Sequence, residues 1–545
     1  MLSLNSYGLE RIGMNKREVL LTLPLCCLIV NNWSSAQAQI TPDGSLSTNV
    51  TTENNRNFTI NNGNRAGNNL FHSFREFSVP TGGEAFFNNA ADIQNIFSRV
   101  TGGSISNIDG LIRANGGANL FLLNPSGIIF GPNARLNIGG SFFASTASSL
   151  IFSDGTQFSA TNNQNSPLLT INVPVGLQYG AKAAPIRVQG ARQIEAVGTT
   201  KGFDSNLNIL EVNPGNTLAI IGGNVIIDGG ILQAPGGRIE LGGLAGEGTI
   251  TINENGSLSF PSGGQRANIS IINKSGINVL AGGGGNIAIN AQNLEISESL
   301  LTTGIATGLG NQGAKAGNIL IDATGAIAIT ASRIENNVNP AFDEQPAAIG
   351  DGGDIIIKAG LTFTTETASL STGTFGQGNG GNLIITANSV SLTNGTNVDS
   401  ITTGLGNAGN IEIYSKDSVA IVESKLESDI FQAPLGGGNA GNILVQANGL
   451  VSIFNSQITS EVPENATGNG GTITIEAGAI SMIQNTPIGL RTTTRGDGDA
   501  GYIKLTATDK IDITSSAISS DSFGAGDAGI VEIEAGGAIA INKTD

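Results

Sequence analysis

The stretch Gly285-Asn286-Ile287-Ala288-Ile289-Asn290-Ala291 states a rule that the chain then repeats: a glycine, then Ile, Leu or Val two and four positions later, and a small residue six positions later. The rule returns at Gly317, Gly353, Gly381, Gly409, Gly441, Gly471, Gly501 and Gly529. The sixth position is Ala in every case but one, Ser415. Intervals between the glycines are 32, 36, 28, 28, 32, 30, 30 and 28 residues. Self-similarity at such a period is the sequence sign of a solenoid.

Apolar residues two apart, separated by residues such as Glu412, Thr474 or Lys504, are the pattern of a strand with one buried and one wet face. A second alternating run follows in most repeats, as at Leu294 and Ile296 or Val419 and Ile421, and often a third, Ser/Thr-rich one such as Leu300 to Thr307. Three short strands bent at two corners make one coil. A unit this short cannot bury its own apolar face, so coils must stack, each strand pairing with its equivalent about 4.8 Å away. The pattern predicts an all-β chain built as a parallel β-helix with three short strands per coil of about 30 residues. Each repeat glycine is expected at a corner where positive φ is needed and where a larger side chain would clash. Asn286, Asn318, Asn382, Asn410 and Asn442, which follow five of those glycines, are expected to hydrogen-bond to the same side chain one coil on. Variation concentrates just before the glycines, in segments such as 337–351 and 429–440; these read as surface loops, where binding would sit.

Composition fits that reading. The chain has 545 residues with 78 Gly and only 13% charged, which suits short strands and tight turns and not helices. Residues 1–38 read as a signal peptide: Arg11, Lys16 and Arg17, an apolar run from Val19 to Val30, then Ala36-Gln37-Ala38. That run is too short to span a bilayer. Both cysteines, Cys26 and Cys27, fall inside it, so the exported chain is expected to hold by stacking alone, without disulfides. Its excess of acidic residues, net -17 for the whole chain, repels nucleic acid. No cofactor is implied. Stacked at one coil per 4.8 Å, the chain would form a rod of roughly 80 Å.

Aromatics divide the chain differently: 13 of the 21 Phe lie between Phe58 and Phe158, marking an N-terminal unit over 39–160, followed by a transition region over 161–284 and nine repeats over 285–545. Within that unit stand Asn69-Leu70-Phe71-His72-Ser73-Phe74, then Ile96 to Gly103, and then Asn119-Leu120-Phe121-Leu122-Leu123-Asn124-Pro125-Ser126-Gly127-Ile128-Ile129-Phe130-Gly131. Apolar strands stop at Asn124-Pro125-Ser126-Gly127, where Pro125 presets φ and Gly127 supplies φ above zero, a fixed β-turn. These stretches resemble the secretion domain of the filamentous haemagglutinin family, the exoproteins of two-partner secretion. Gly176-Leu177-Gln178 and Ala234-Pro235-Gly236-Gly237-Arg238-Ile239-Glu240-Leu241 are similar to cyanobacterial members. The resemblance implies a right-handed β-helix, a signal peptide, and recognition by an outer-membrane β-barrel transporter with periplasmic docking repeats. It also implies an extracellular or surface location, with cell-surface glycans or proteins as ligands. Asn124, Pro125, Ser126 and Gly127 match the family's Asn-Pro-Asn-Gly secretion motif, with Ser126 replacing the second Asn. Whether this turn serves folding, transporter recognition or both stays open on the sequence.

Chemistry for catalysis is sparse. His72 is the single histidine and reads as structural, turned outward by strand alternation. Asp351 with Asp354, and Asp497 with Asp499, fall at coil turns and read as solvated, with calcium binding as the weaker alternative. The expected function is therefore a non-enzymatic surface adhesin or surface-layer component presenting loops and Ser/Thr-lined faces. Two alternatives remain: an extracellular polysaccharide-processing enzyme, which a groove of carboxylates and basic residues on an outer sheet would favour, and a truncated family member, since the last coil near Ile541 has no evident cap.

Overall fold

The computed structural model describes residues 39–161, 169–190, 209–431, 437–464, 466–485 and 489–543; the expected leader over 1–38 lies outside them. Every element among the described residues is a β-strand. The glycine rule becomes a stack. Ile287, Ile319, Ile355, Leu383, Ile411, Ile443, Ile473, Ile503 and Val531 pair in parallel, each with its equivalent in the next coil. A second sheet stacks Leu294, Ile327, Phe363, Val390, Val419, Val451, Ile480, Ile511 and Ile539 in the same way. A third stacks Leu301, Ile334, Leu370, Val398, Leu426, Ile458, Leu490 and Ile518. The inward side chains of all three sheets join one core up to the last described coil, where Val531 and Ile539 stay exposed. Each buried Ile or Leu contributes on the order of 2 kcal/mol, so the described residues, which hold no cysteine, are held by the repetition of one small contact. The architecture is a parallel β-helix.

Of the two reasons expected for the repeat glycines, crowding holds and positive φ does not. Only Gly285 among the nine has positive φ. From Gly317 onward, an added Cβ would lie 1.8 to 2.2 Å from the carbonyl oxygen of the preceding glycine in the stack, so the column is glycine because backbones touch there. The left-handed residue sits at another corner, between the second and third strands, once per coil: Glu298, Ala331, Thr367, Asn394, Glu423, Asn455, Gln484 and Ser515. None is glycine. Neighbouring coils repeat that corner in register and hold it although L-residues disfavour it.

The third strand also inverts an expectation. Thr303, Thr372, Ser400, Ser428, Ser460 and Thr492 are buried, not displayed, and several close the glycine corner. Thr303 Oγ1 donates to Gly285 O at 2.6 Å, Ser428 Oγ to Gly409 O at 2.6 Å and Ser460 Oγ to Gly441 O at 2.7 Å. A small hydroxyl is required because it must satisfy a buried carbonyl within a corner that has no room for a larger group.

Toward the N-terminus the same sheets continue. The first runs without a break from Asn69–Phe77 through Asn95–Val100, Asn119–Leu123, Phe142–Ser145, Thr217–Gly222 and Arg238–Gly243 into Asn286–Ala291. The phenylalanines have two destinations along this sheet. Leu70, Phe74 and Phe142 point into the main core. Phe71, Phe97, Phe121 and Phe143 point the other way, as a column of rings with centroids 5.1, 5.0 and 4.5 Å apart. They are covered by an antiparallel sheet of Ser149–Phe152, Gln157–Ser159, Pro174–Tyr179, Gly248–Ile252 and Leu258–Ser259, which supplies Phe152, Phe158, Leu177 and Ile250 to a second core. The first coil is closed by antiparallel pairing of Ile40–Pro42 and Asn64–Ala66 with Asn69–Phe77, which removes an exposed strand edge.

His72 turns inward, contrary to expectation. It is 1% exposed, lies against Phe74 and Phe87, and meets Thr48 Oγ1 at 3.2 Å through Nδ1. Its Nε2 has no partner. Burial pushes its pKa down to about 3, so the ring is neutral at physiological pH.

Candidate functional site

The Asn124 turn forms a corner between Asn119–Leu123 of the first sheet and Ile128–Phe130 of the second. Gly127 N donates to Asn124 O at 3.0 Å, closing the β-turn, and Ser126 N donates to Asn124 Oδ1 at 2.9 Å. Gly127 has φ of 116°, within the range that favours glycine. Asn124 is wholly buried. Its Nδ2 donates to Ser104 O and to Ser106 Oγ, each at 2.9 Å, in the coil below. Its own N–H donates to Ser145 O in the coil above. The amide therefore ties three coils together, and Pro125 and Ser126, both half-buried, are the parts of the turn that meet solvent.

A second tie is Arg99, none of which is exposed. Nε donates to Ser73 Oγ at 2.8 Å and Nη2 to Ser45 Oγ at 3.0 Å, Nη1 reaches the Ser159 carbonyl, and the guanidinium lies 4.7 Å from the Phe158 ring centre. Ser73 and Thr101 in turn donate to Asp43 at 2.6 and 2.8 Å. One guanidinium thus joins the N-terminal cap, the first sheet and the antiparallel sheet. Its charge is compensated because each of these three donors ends on an oxygen and Asp43 lies close by.

This arrangement of capped coil, fixed corner and covered aromatic column spans the region over which residues 38–275 match the TPS secretion domain family. The chain carries a two-partner secretion domain. This domain indicates a two-partner secretion exoprotein and implies an outer-membrane transporter as its partner. Among solved structures, the secretion domain of HMW1 from Haemophilus influenzae is 17% identical, with 90% of this chain and 99% of that one covered and a TM-score of 0.42. The filamentous hemagglutinin secretion domain is 15% identical, with 62% and 93% covered and a TM-score of 0.30. No curated protein matches. The β-helical reading rests on the strand register above.

Beyond the secretion domain the exposed corner carries two ladders. In one, Oδ1 of Asp351, Asn379, Asn407, Asn439, Asn469 and Asp499 each accepts the backbone N–H of the equivalent residue one coil on, at 2.8 to 3.0 Å. In the other, Asn286, Asn318, Asp354, Asn382, Asn410 and Asn442 do the same at 2.8 to 3.0 Å. The Asn ladder expected from the sequence is present, but its main acceptor-donor bond runs from side chain to backbone, and a parallel ladder three residues earlier went unread. Asp351, Asp354 and Asp499 are rungs; Asp497 is exposed beside them. Among the described residues no group of three or more acidic, His or Cys side chains is placed to hold a metal ion.

The outer face of the third sheet is the chemically richest surface. Glu335, Ser371, Asp399, Glu427, Thr459 and Arg491 stack in one outward column. Asp399 is buried and accepts from Ser371 Oγ at 2.6 Å and Asn397 Nδ2 at 2.8 Å. Burial first, with Glu427 and Glu335 nearby, pushes its pKa up to about 7. Asp429 accepts Glu461 N at 2.8 Å and Thr459 Oγ1 at 2.9 Å, and burial likewise pushes it up to about 7. Arg491 pairs with Glu461. Asp429, Thr459, Glu461 and Arg491, together with Phe431, Pro463, Glu464 and Arg495, line a cavity of about 630 Å³. In the sequence these residues come from stretches about 30 apart, and only stacking brings them together; Asp429 and Phe431 belong to the variable segment 429–440.

Proposed function

We propose that this chain is exported across the outer membrane by a β-barrel transporter whose periplasmic repeats dock on the N-terminal domain, and that it acts outside the cell as a surface adhesin or surface-layer component. The match of residues 38–275 to the secretion domain family carries the reading. Two features support it. The coil rule is local and repeated, so each emerging coil can add to the one before it. The sequence after residue 38 holds no cysteine, so no disulfide can lock the chain before it crosses. The test is to express the chain with and without a candidate transporter. Accumulation at the surface or in the medium only with the transporter supports the proposal, and equal release without it overturns it.

For the turn at Asn124 to Gly127, we propose that Asn124 and Gly127 act by building the corner, and that Pro125 and Ser126 present it to the transporter. The enzymatic alternative gains one specific observation, the mixed carboxylate and arginine groove on the third sheet, which bears on ligand contact and is argued next.

A further inference from the structure

The cavity on the third sheet is built by three successive coils about 4.8 Å apart. Its floor mixes acceptors and donors: Asp429, Glu461 and the hydroxyl of Thr459 beside the guanidinium of Arg491. Its rim is Phe431, 57% exposed, and Arg495, which makes no ion pair among the described residues. A volume of about 630 Å³ lies within the range of small-ligand sites, about 300 to 1,000 Å³.

The charge balance selects the ligand. Glu427, Asp429, Glu461 and Glu464 outnumber Arg491 and Arg495 in the lining, and the chain as a whole carries net -17, so an anionic ligand is repelled. A simple cation would leave both arginines and the aromatic rim without a role. A hydroxyl group both donates and accepts, so a polyhydroxylated neutral ligand satisfies carboxylates and guanidinium alike. Its C–H face would lie on the exposed ring of Phe431.

We infer that this groove binds a short stretch of a neutral, hydroxyl-rich saccharide, with Phe431 and Arg495 as rim contacts and Asp429, Thr459, Glu461 and Arg491 as the floor. This deepens the surface-exoprotein reading and rests on it for biological meaning, but its test does not depend on export.

The purified chain is titrated with short neutral gluco- and galacto-oligosaccharides, and with oligogalacturonates and a sulfated galactan as anionic counterparts. The expected result is binding of a neutral oligosaccharide that Phe431→Ala and Arg495→Ala each weaken by about tenfold, as loss of a stacking or charge-assisted contact does. Both positions are exposed, so the fold should survive, as checked by far-UV circular dichroism. Lys358→Ala, on the outer face of the first sheet, should change nothing. Binding that ignores both rim variants places the site elsewhere and overturns the inference. Preference for the anionic oligomers overturns the ligand class. Release of reducing ends from a bound oligosaccharide overturns the binding-only role. Failure to bind any neutral oligosaccharide overturns the inference too, yet leaves transporter-dependent accumulation, a separate measurement, untouched.

Discussion

A Cβ placed on Gly409 would lie 1.9 Å from the carbonyl oxygen of Gly381. That oxygen also accepts from Ser400 Oγ at 3.0 Å, and the same hydroxyl accepts from Gly409 N at 2.9 Å. Neither backbone can retreat without breaking the corner. Gly409→Ala is therefore expected to destabilise the chain by about 1 to 3 kcal/mol or more. Gly117→Ala, where an added Cβ meets nothing within 4 Å, should be nearly neutral. Denaturant midpoints of the two variants, compared with the parent, check the contrast; equal midpoints would refute backbone contact as the reason for the glycine column.

The ladder at Asn407 makes a prediction about chemistry and not size. Asn407 Oδ1 accepts Asn439 N at 2.8 Å. Asn407→Ala should cost about 1 kcal/mol through the lost acceptor. Asn407→Asp keeps that oxygen, as Asp499 does natively toward Asp527 at 2.8 Å, and should cost less. Thermal midpoints rank the two.

Thr367 is a β-branched residue at φ of 52°, a backbone region such residues rarely enter. Its hydroxyl donates to Asn394 O at 3.0 Å, a bond exposed to water. Thr367→Asn, which tolerates left-handed geometry, should raise stability by roughly 0.5 to 1 kcal/mol. A lowered midpoint would mean that the hydroxyl outweighs the strain.

Two buried groups act on stability with opposite sign across overlapping ranges of pH. Asp399 holds its proton up to about 7 in the folded chain against 3.8 ordinarily. The folded state thus binds protons more tightly than the unfolded one, and stability falls as pH rises from about 4 through 7. His72, at about 3 against 6.5, works the other way: stability falls as pH drops below 6.5 toward 3. Asp399→Asn should reduce the fall in stability between about pH 5 and 7, with Asp429, also raised to about 7, keeping the rest of it, and should add little change between pH 7 and 8. Unfolding midpoints at pH 5, 6, 7 and 8 test this.

For export, Asn124→Ala strips the amide that joins three coils, so any loss of release should track a loss of stability. Ser126→Asn gives the turn the Asn-Pro-Asn-Gly sequence of the family it resembles, at a half-buried position. It should leave the midpoint unchanged while raising release with a transporter that reads the turn. Unchanged release with unchanged stability would confine the turn to folding.

Much of the molecule was legible in its text. The strand rule, the coil length and the apolar columns from Ile287 to Val531 depend only on which residue stands two or four places from a glycine, and such local spacing survives folding unchanged. What lay outside that reading involves approach between coils. No spacing shows that Gly317 faces the Gly285 carbonyl, that Thr367 and not a glycine takes the left-handed corner, or that His72 turns in among Phe74 and Phe87. Phe71 and Leu70 are both apolar neighbours, and only the antiparallel sheet laid over one face sends them to different cores. The groove is the clearest case, since Asp429, Glu461 and Arg491 meet through variable coil lengths that the strand pairing absorbs. The sequence by itself determined the repeating coil, because hydrophobic periodicity acts along the chain. Only the tertiary structure decided which polar groups share a surface, because stacking brings residues about 30 positions apart to within about 5 Å of one another.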